Sequence, residues 1–414
     1  MAHINLKMGE LFVGAGGLGV GFILANHPHI QFQPTFAVDN EPISLSTYKG
    51  NLEWLSAHKQ DLDVSRSRVL LLDIDKIHGN DLISKSDLNN EELDILVGGP
   101  PCQGYSSSNR AGQKKNKDER NYLMRVFLDK VRDICPKMFL IENVQGVQWT
   151  EPTEGMRLDT LQLPLFPDID HDVQLDSVQE FLVRQANSLG YKVWYKIIDA
   201  ATFGIPQHRM RFFLFGVRAD LIPNDEEVNL SEYLNDFVVD RYTTVSEAIN
   251  DLPPLGNGDR YIGSYDPSSN SYVQKLRQYM LSNEVYDHFT TKHKDYVIDR
   301  YKQIQQGQNW EAIRGLMTNY ANIDNTHSNI YRRLQNDLPA ITITHYRKSM
   351  IIHPIQDRGL SFREACRLQS FPDWFRFQGG REAMQQQLAN AVPPMLATKV
   401  AYAVAEYWYN TIRQ

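Results

Sequence analysis

The stretch Leu-Asp-Ile-Leu-Val-Gly-Gly-Pro-Pro-Cys-Gln-Gly, residues 93–104, contains an apolar run that ends abruptly in glycine and proline. The run from Leu93 to Val97 has the length and composition of a short buried strand, and the glycines and prolines after it favour a loop. Cys102 is therefore predicted to lie just past the carboxyl end of a strand, in backbone that two prolines hold extended. Structural cysteines are more typical of helix and strand interiors, so this thiol indicates either a nucleophile or a plain structural loop.

Similar apolar runs recur through the first half of the chain and alternate with amphipathic segments. The predicted strands are 11–13, 35–38, 69–72, 93–97, 138–141 and 212–217, with helices such as 121–134 and 178–189 between them. This alternation predicts an α/β fold: a mainly parallel sheet with helices on both faces and sites at the carboxyl ends of the strands. The polar segment 150–175 has little periodicity and is interpreted as a surface insertion.

The pattern changes after residue 220. The segment 220–240 contains no lysine or arginine, and residues 251–256 (Asp-Leu-Pro-Pro-Leu-Gly) form a break. A final helix is predicted at 394–408, packing back on the first part of the chain. We predict two domains: a catalytic and cofactor-binding domain at 1–220, completed by 380–414, and a smaller second domain with its hinge at 221–379.

The 414 residues include 42% hydrophobic and 22% charged residues, as in an ordinary soluble globular protein. Because neither a secretory signal nor a membrane-spanning apolar stretch is evident, we expect an intracellular protein. The three cysteines are too few and too scattered for a disulfide framework or a zinc site, and Cys135 and Cys366 are interpreted as structural. The net charge of -7 speaks weakly against nucleic-acid binding, but residues 286–350 carry nine Lys and Arg against six Asp and Glu, which allows a basic face.

The glycine-rich segment 14–19 follows the apolar run at 11–13. Glycines after a strand let a ligand approach the backbone, but this motif alone fits a dinucleotide, flavin or S-adenosylmethionine site and a tight turn equally well. The second predicted strand ends at Asp39, where a carboxylate commonly binds ribose hydroxyls. The third ends at Asp73 and Ile74, a pair suited to the amino group and ring of adenine. Three such strand ends together predict an adenosine site.

Two further strand ends carry charged side chains. Glu142 follows an apolar run, and the segment Gly-Ile-Pro-Gln-His-Arg-Met-Arg at 204–211 places Arg209 and Arg211 on one strand face, since they are two residues apart. With Cys102, these groups would meet at one edge of the sheet. A thiol, a carboxylate and two guanidiniums suit nucleophilic attack on a polarised ring better than hydrolysis.

The order and spacing of these motifs resemble one family closely. The motifs are LFVGAGG (11–17), GGPPCQGYS (98–106), IENV (141–144), GIPQHRMR (204–211), RGLSFREACRLQSFPD (358–373) and QLANAVPP (387–394). From residue 9 to about 400 the chain resembles the DNA cytosine 5-methyltransferases of the bacterial restriction-modification type. The resemblance implies a Rossmann-like, S-adenosylmethionine-dependent methyltransferase fold, and it makes the second domain a target recognition domain.

The resemblance also implies roles for individual residues. Cys102 would add to carbon 6 of an extruded cytosine, and a protonated Glu142 would bind ring nitrogen 3. Arg211 would contact the cytosine carbonyl, with Arg209 in the same wall. The other substrate-binding residues implied are Gln103, Asn143, Gln207 and Thr342. S-adenosyl-L-methionine, converted to S-adenosyl-L-homocysteine, would contact Phe12, Gly14, Gly16, Gly17, Leu18, Asp39, Asn40, Asp73, Ile74, Pro100, Leu123, Asn390 and Ala391. No metal is expected.

Double-stranded DNA is the partner that the resemblance implies, together with a cognate restriction endonuclease, a monomer on DNA and a cytoplasmic, nucleoid-associated location in a prokaryote. Candidate contacts to bases or phosphates are Lys292, Lys294, Arg300, Lys302, Arg332, Arg333 and Arg347. Two alternatives stay open. A tRNA cytosine methyltransferase shares the catalytic core, but its Cys-Phe-Thr signature does not occur in this sequence. A non-catalytic DNA-binding protein of the same fold has no need to keep Cys102, Glu142 and Arg211.

Overall fold

The computed structural model describes residues 3–86, 88, 91–101, 122–144, 178–318, 323 and 327–413. Within this part of the chain one seven-stranded sheet forms the centre of the molecule. Its strands are β1 (Ile4–Leu11), β2 (Ile30–Asp39), β3 (Arg68–Leu71), β4 (Ile95–Gly98), β5 (Met138–Val144), β6 (Tyr191–Asp199) and β7 (Met210–Arg218).

The strands are arranged in the order β3-β2-β1-β4-β5-β7-β6. β1 to β5 pair in parallel, whereas β7 runs antiparallel to both β5 and β6. The predicted mainly parallel sheet is therefore confirmed. Because β7 is reversed, its beginning lies at the same sheet edge as the carboxyl ends of β4 and β5, which brings distant segments to one place.

Helices pack on both faces of this sheet and continue in the segments beyond it. They are α1 (Gly17–Ile23), α2 (Pro42–His58), α3 (Gly79–Lys85), α4 (Tyr122–Ile134), α5 (Val178–Ser188), α6 (Ser231–Asn235), α7 (Val245–Ile249), α8 (Ser271–Leu276), α9 (Asp295–Gln303), α10 (Phe362–Leu368), α11 (Arg381–Asn390) and α12 (Pro394–Tyr407). Alternate residues of each strand enter two separate apolar cores, as Leu140 and Ile141 of β5 do. Among these helices none is long and apolar enough to cross a membrane.

Two strand predictions differ from the structure. The predicted strand at 11–13 is wrong, because β1 ends at Leu11 and Phe12 has φ 55°, which begins the turn. β6 was not predicted, because its sequence Tyr-Lys-Val-Trp-Tyr-Lys-Ile-Ile-Asp mixes polar and apolar residues, as an edge strand does. The predicted insertion at 150–175 lies outside the described residues.

The carboxyl-terminal part of the chain returns to the first strand–helix unit. The predicted final helix is confirmed as α12, and Thr398 Oγ1 donates to the Gly21 carbonyl of α1 at 3.0 Å. A Cβ atom at Gly21 would lie 2.3 Å from Ala397 Cβ, so the glycine permits this close helix contact. Cys366 is buried within α10, whereas Cys135 is exposed just after α4.

The main apolar core continues beyond residue 220 through α6, α7, α8 and α10. A separate small core lies in the segment 297–352, around Val297, Tyr301 and Trp310. Two short strands, β8 (Gly263–Ser264) and β9 (Glu284–Val285), form an antiparallel pair nearby in the sequence. The division at 220 and 380 stays a prediction.

Candidate active site

The carboxyl ends of β4 and β5 bring a proline-rich turn against a buried carboxyl group. A Cβ atom at Gly99, just after β4, would lie 3.0 Å from Glu142 Oε2. Asn143 Nδ2 donates to the Pro100 carbonyl at 3.0 Å, which ties the turn to β5. The backbone leading to Cys102 is thereby held beside Glu142. Cys102 and Gln103 themselves lie outside the described residues.

Glu142 and Arg211 form a buried ion pair. Arg211 Nε lies 2.7 Å from Glu142 Oε1, and both side chains are under a tenth exposed. The register of the two strands brings these side chains together. Val144 of β5 is opposite Arg211 of β7, and Glu142 is two residues before Val144 on the same strand face. Burial raises the pKa of Glu142, while the neighbouring Arg211 and Arg209 guanidiniums oppose that rise. The carboxyl group can therefore carry a proton more readily than an exposed glutamate.

Arg209 is buried just before the same strand begins and binds three backbone carbonyls. Its Nη1 donates to Ile343 at 3.1 Å, and its Nη2 donates to Ala389 at 2.8 Å and to Ala391 at 3.0 Å. Burial, followed by the charge of Arg211, lowers the pKa of Arg209. This guanidinium joins the start of β7 to two segments that lie more than 130 residues away in the sequence.

Two further predicted substrate residues, Gln207 and Thr342, lie where the segment 207–208 contacts the segment 340–343. Gln207 is fully buried, and its Oε1 accepts from the Ile343 amide at 2.8 Å. Thr342 Oγ1 donates to the His208 carbonyl at 2.7 Å. The structure thus brings Gln207, Arg209 and Thr342 together with the Glu142–Arg211 pair along one edge.

The glycine-rich turn after β1 contacts the end of β2. Asp39 Oδ2 accepts from the Gly14 amide at 2.7 Å, and Gly14 has φ 54°. A Cβ atom at Gly14 would meet no described atom within 4 Å, so space remains beside this loop. Phe12 is half-buried at its rim. A carboxylate, an open glycine backbone and an aromatic ring are groups that fit a nucleoside-type ligand.

The same loop meets the segment before α12. A Cβ atom at Gly17 would lie 2.3 Å from the Val392 carbonyl, so only glycine fits there. Leu18 and Ala391 are buried at this contact, while Asn390 is exposed. Gly16, with φ 91°, lies against the ring of Tyr48. Through Ala391, the glycine-rich loop and the arginine cluster share one wall.

The predicted adenine residues form a third group next to α4. Asp73 caps a short 3-10 helix and forms an ion pair with Lys76 at 2.9 Å, which lowers the pKa of Asp73. Ile74 is buried and Leu123 is half-buried. The Tyr122 hydroxyl donates to Asp75 and links this loop to the start of α4. Asn40 is exposed beside Asp39.

Several predicted DNA contacts are placed differently by the structure. Arg333 is buried and donates to the Ile304, Tyr301, His353 and Gln356 carbonyls and to Asp357. Arg300 is also buried and donates to the Tyr331 hydroxyl and the Leu316 carbonyl. These two arginines stabilise the fold and are not surface contacts. The remaining candidates, Lys292, Lys294, Lys302, Arg332 and Arg347, are exposed or half-buried.

Two groups near the site were missed from the sequence. Glu10 is 2% exposed beneath the glycine-rich loop, and the alternation Leu6, Met8, Glu10 could have shown that it points inward. His208 Nδ1 lies 2.8 Å from Asp199 Oδ2, and the ring packs edge-on against Tyr242. No sequence signal pairs Asp199 with His208, because the pair depends on how β6 and β7 align.

The fold and the residues at the carboxyl ends of its strands together define a class of protein. The glycine-rich loop after β1, the acidic strand ends and the reversed β7 are those of a Rossmann-like methyltransferase. A model of the family described as C-5 cytosine-specific DNA methylase matches residues 6–162 and 169–406. The chain belongs to this family. The predicted enzyme class, a DNA (cytosine-5-)-methyltransferase, is therefore confirmed.

Curated relatives agree with this family. The chain is 30% identical over 418 residues to the type II methyltransferase M.DdeI of Desulfomicrobium norvegicum, covering 97% of this chain and 89% of the relative. It is 27% identical over 470 residues to the type II methyltransferase M.AgeI of Thalassovita gelatinovora, covering 96% and 99%. These names confirm the predicted resemblance to the restriction-modification type.

Solved structures share the fold. A prophage-encoded protein of E. coli superposes with a TM-score of 0.69 at 20% identity, over 98% of this chain and all of the other. The Entamoeba histolytica methyltransferase EhMeth superposes with a TM-score of 0.56 at 16% identity, over 98% and 99%.

Proposed function

We propose that this methyltransferase forms a covalent adduct between Cys102 and an extruded cytosine of double-stranded DNA and methylates carbon 5 of that ring. The observation that carries the proposal is the buried Glu142–Arg211 pair at 2.7 Å, which lies against Gly99 at the strand end that leads to Cys102. A nucleophile, a proton-bearing carboxyl group and a fixed cation would then surround one ring.

Each group has a defined task in this chemistry. The Cys102 thiolate forms a bond to ring carbon 6, and the electron pair of the 5,6 double bond moves toward carbon 5. Glu142 holds a proton at ring nitrogen 3 and Arg211 faces the ring carbonyl, so both stabilise the charge that develops. After carbon 5 takes up the methyl group, loss of its proton expels the cysteine sulfur. Burial supports the protonated form of Glu142.

S-adenosylmethionine is the proposed methyl donor, and when bound it supplies an electrophilic methyl group. Asp39 would bind the ribose, while Asp73 and Ile74 would bind adenine. The Gly14 and Gly17 backbone would form the floor of the site. Support comes from the open space at Gly14 and from the common wall that Ala391 and Arg209 form with the loop.

Substrate DNA would lie along the edge that carries Thr342 and His208. Rotation of the cytosine out of the stack costs a few kcal/mol, which contacts to the flanking phosphates offset. The half-exposed His208 ring, oriented by Asp199, is suited to such a contact. The Thr342 hydroxyl would make one by turning its proton from the His208 carbonyl to a phosphate. Residues 221–379 would read the target sequence. We also propose a cognate restriction endonuclease as partner and a location with the nucleoid, because the relatives are named type II methyltransferases.

Incubation with tritiated S-adenosylmethionine and either plasmid DNA or tRNA tests the proposal, with Cys102→Ala as the matched control. We expect tritium to be incorporated into DNA and bisulfite sequencing to locate the methylated cytosine in one short motif. The Cys102→Ala variant should show neither. Transfer to tRNA alone would assign the enzyme to the tRNA branch. DNA binding without transfer to either substrate would indicate a binding-only protein.

A further inference from the structure

Glu10 is a buried acid that the proposed reaction does not use. It lies in β1, two residues before Phe12, and is 2% exposed. Its Oε1 accepts from the Gly19 amide at 3.0 Å, and a Cβ atom at Gly19 would lie 1.9 Å from Oε2. The carboxyl group therefore packs directly beneath the glycine-rich segment 14–19.

The surroundings of Glu10 disfavour a negative charge. Its Oε2 has no hydrogen-bond partner among the described residues, and neither has the buried Tyr48 hydroxyl. Among the described residues, the ionisable group that acts on Glu10 is Asp39 at the end of β2, and Glu10 in turn raises the pKa of Tyr48 on α2. Burial, with a smaller effect of the Asp39 carboxylate, raises the pKa of Glu10 to about 8, because the Gly19 amide, which favours the carboxylate, offsets only part of that rise. The acid is therefore neutral in the folded protein at pH 7.

We infer that Glu10 is a positioning residue for the cofactor: buried beneath the loop, it accepts from the Gly19 amide and keeps the segment 14–19 in the shape that receives S-adenosylmethionine. This role rests on the proposed function. The same segment donates the Gly14 amide to Asp39, the predicted ribose ligand, so Glu10 and Asp39 hold the loop from two sides.

Ionisation of Glu10 would oppose this shape. A buried carboxylate without a cation beside it gains hydration when the loop opens, so the closed form becomes less populated as the pH rises. Apparent affinity for a ligand decreases in proportion to the fraction of the protein that is competent to bind. With a pKa of about 8, about one molecule in ten keeps Glu10 neutral at pH 9, so affinity that depends on the neutral form would be about tenfold lower there than at pH 6.5.

Binding of S-adenosylhomocysteine between pH 6.5 and 9, measured by titration calorimetry, tests this role in wild type and Glu10→Gln. Glutamine keeps an acceptor for the Gly19 amide but does not ionise. We expect wild type and Glu10→Gln to bind S-adenosylhomocysteine with equal affinity at pH 6.5. At pH 9 the affinity of wild type should have declined about tenfold more than that of the variant. The ligand's amino group titrates in the same way with both proteins, so the ratio of their two affinities at each pH isolates the effect of Glu10. Glu53→Gln, an exposed residue of α2, is the control and should follow wild type.

Proton uptake provides a second measurement, because the two linked equilibria are reciprocal. Calorimetry at pH 8.5 in buffers of different ionisation enthalpy should show wild type taking up more protons on binding than Glu10→Gln. If Glu10→Gln does not fold, 5′-methylthioadenosine, which has no amino group, should still cause proton uptake in wild type at pH 8.5 and none at pH 6.5.

Identical pH profiles in wild type and Glu10→Gln, or no proton uptake with methylthioadenosine, would overturn the role of Glu10 alone. Failure of wild type to bind S-adenosylhomocysteine at pH 6.5 would instead overturn the proposed cofactor, and the role of Glu10 with it. The pH 6.5 measurement thus separates the two failures.

Discussion

At the scale of single residues, the candidate site depends on charges that are buried in pairs. Arg211 partly offsets the effect of burial on Glu142, so the carboxyl group has a raised pKa without being isolated. Arg209 has no carboxylate as its hydrogen-bond partner among the described residues and binds carbonyl groups instead. We therefore expect Arg211 to act on the substrate and Arg209 to position the wall around it.

Replacement of Arg211 by glutamine should lower kcat for methyl transfer by at least about 10²-fold, because a fixed cation no longer faces the charge that develops. Loss of the cation should also raise the pKa of Glu142 further and move the alkaline limb of the pH–rate profile upward. Arg218→Gln, at the far end of β7, is the control. An unchanged rate with Arg211→Gln would contradict the assigned role.

Gly17→Ala should destabilise the protein by about 1–3 kcal/mol, because the added methyl group would overlap the Val392 carbonyl. Gly50 in α2 offers a matched control, since a Cβ atom there meets nothing within 4 Å. Gly50→Ala should stabilise by about 0.5–1 kcal/mol, as expected for helix interiors. Urea denaturation of both variants checks the pair. A Gly17→Ala variant as stable as wild type would show that the segment before α12, which holds Val392, can shift away.

At the scale of secondary-structure elements, α10 organises the segment around it. Ser361 and Glu364 form a capping box at its start, and Arg358 donates to both Glu364 oxygens at 2.9 and 2.7 Å. Arg367 on the same helix binds Asp373 and Asp251. The motif at 358–373 therefore encodes a buried ionic network that fixes α10 against α7 and the preceding loop.

Glu364→Gln should destabilise the protein by about 3–5 kcal/mol at pH 7, because Arg358 would keep a buried charge without its anion. Burial opposes ionisation of Glu364, but His353 and Arg358 together lower its folded pKa to about 2, below the usual value of 4.5. Its stabilising effect is therefore complete above pH 4.5 and lost as the pH falls toward 2. Urea denaturation from pH 7 to 3.5 should show the difference from wild type shrinking in acid. A difference that is constant with pH would contradict this linkage, and Glu53→Gln should match wild type throughout.

At the scale of the whole molecule, charge is distributed unevenly. The protein has a net charge of -7, yet exposed lysines at 292 and 294 precede α9 in the predicted recognition domain. Arg300 and Arg333, also predicted to contact DNA, instead stabilise the interior of that region. We expect the remaining exposed cations, not the region's total charge, to set the salt dependence of DNA binding.

Joint replacement of Lys292 and Lys294 by glutamine should weaken DNA binding and reduce the slope of log K against log salt. Each lost phosphate contact should lower the slope by about 0.9. Lys85→Gln is the control, because Lys85 is an exposed lysine at the end of α3 and lies outside the predicted recognition domain. Fluorescence anisotropy at 50–300 mM salt provides the measurement. Equal slopes for the double variant and wild type would exclude these lysines from the DNA contact.

The sequence by itself determined the class of fold and the family, because glycine, proline and short apolar runs act over a few residues and mark where strands end. Those local signals place Asp39, Asp73 and Glu142 at strand ends. In the structure Asp39 ends β2, Asp73 lies two residues past β3 and Glu142 lies two residues before the end of β5. Only the tertiary structure decided which distant groups meet. Arg209 reaches Ala391 across 182 residues, Asp199 meets His208 through strand alignment, and Arg333 is buried by a small core of its own. Such contacts depend on packing between elements, which local patterns do not encode.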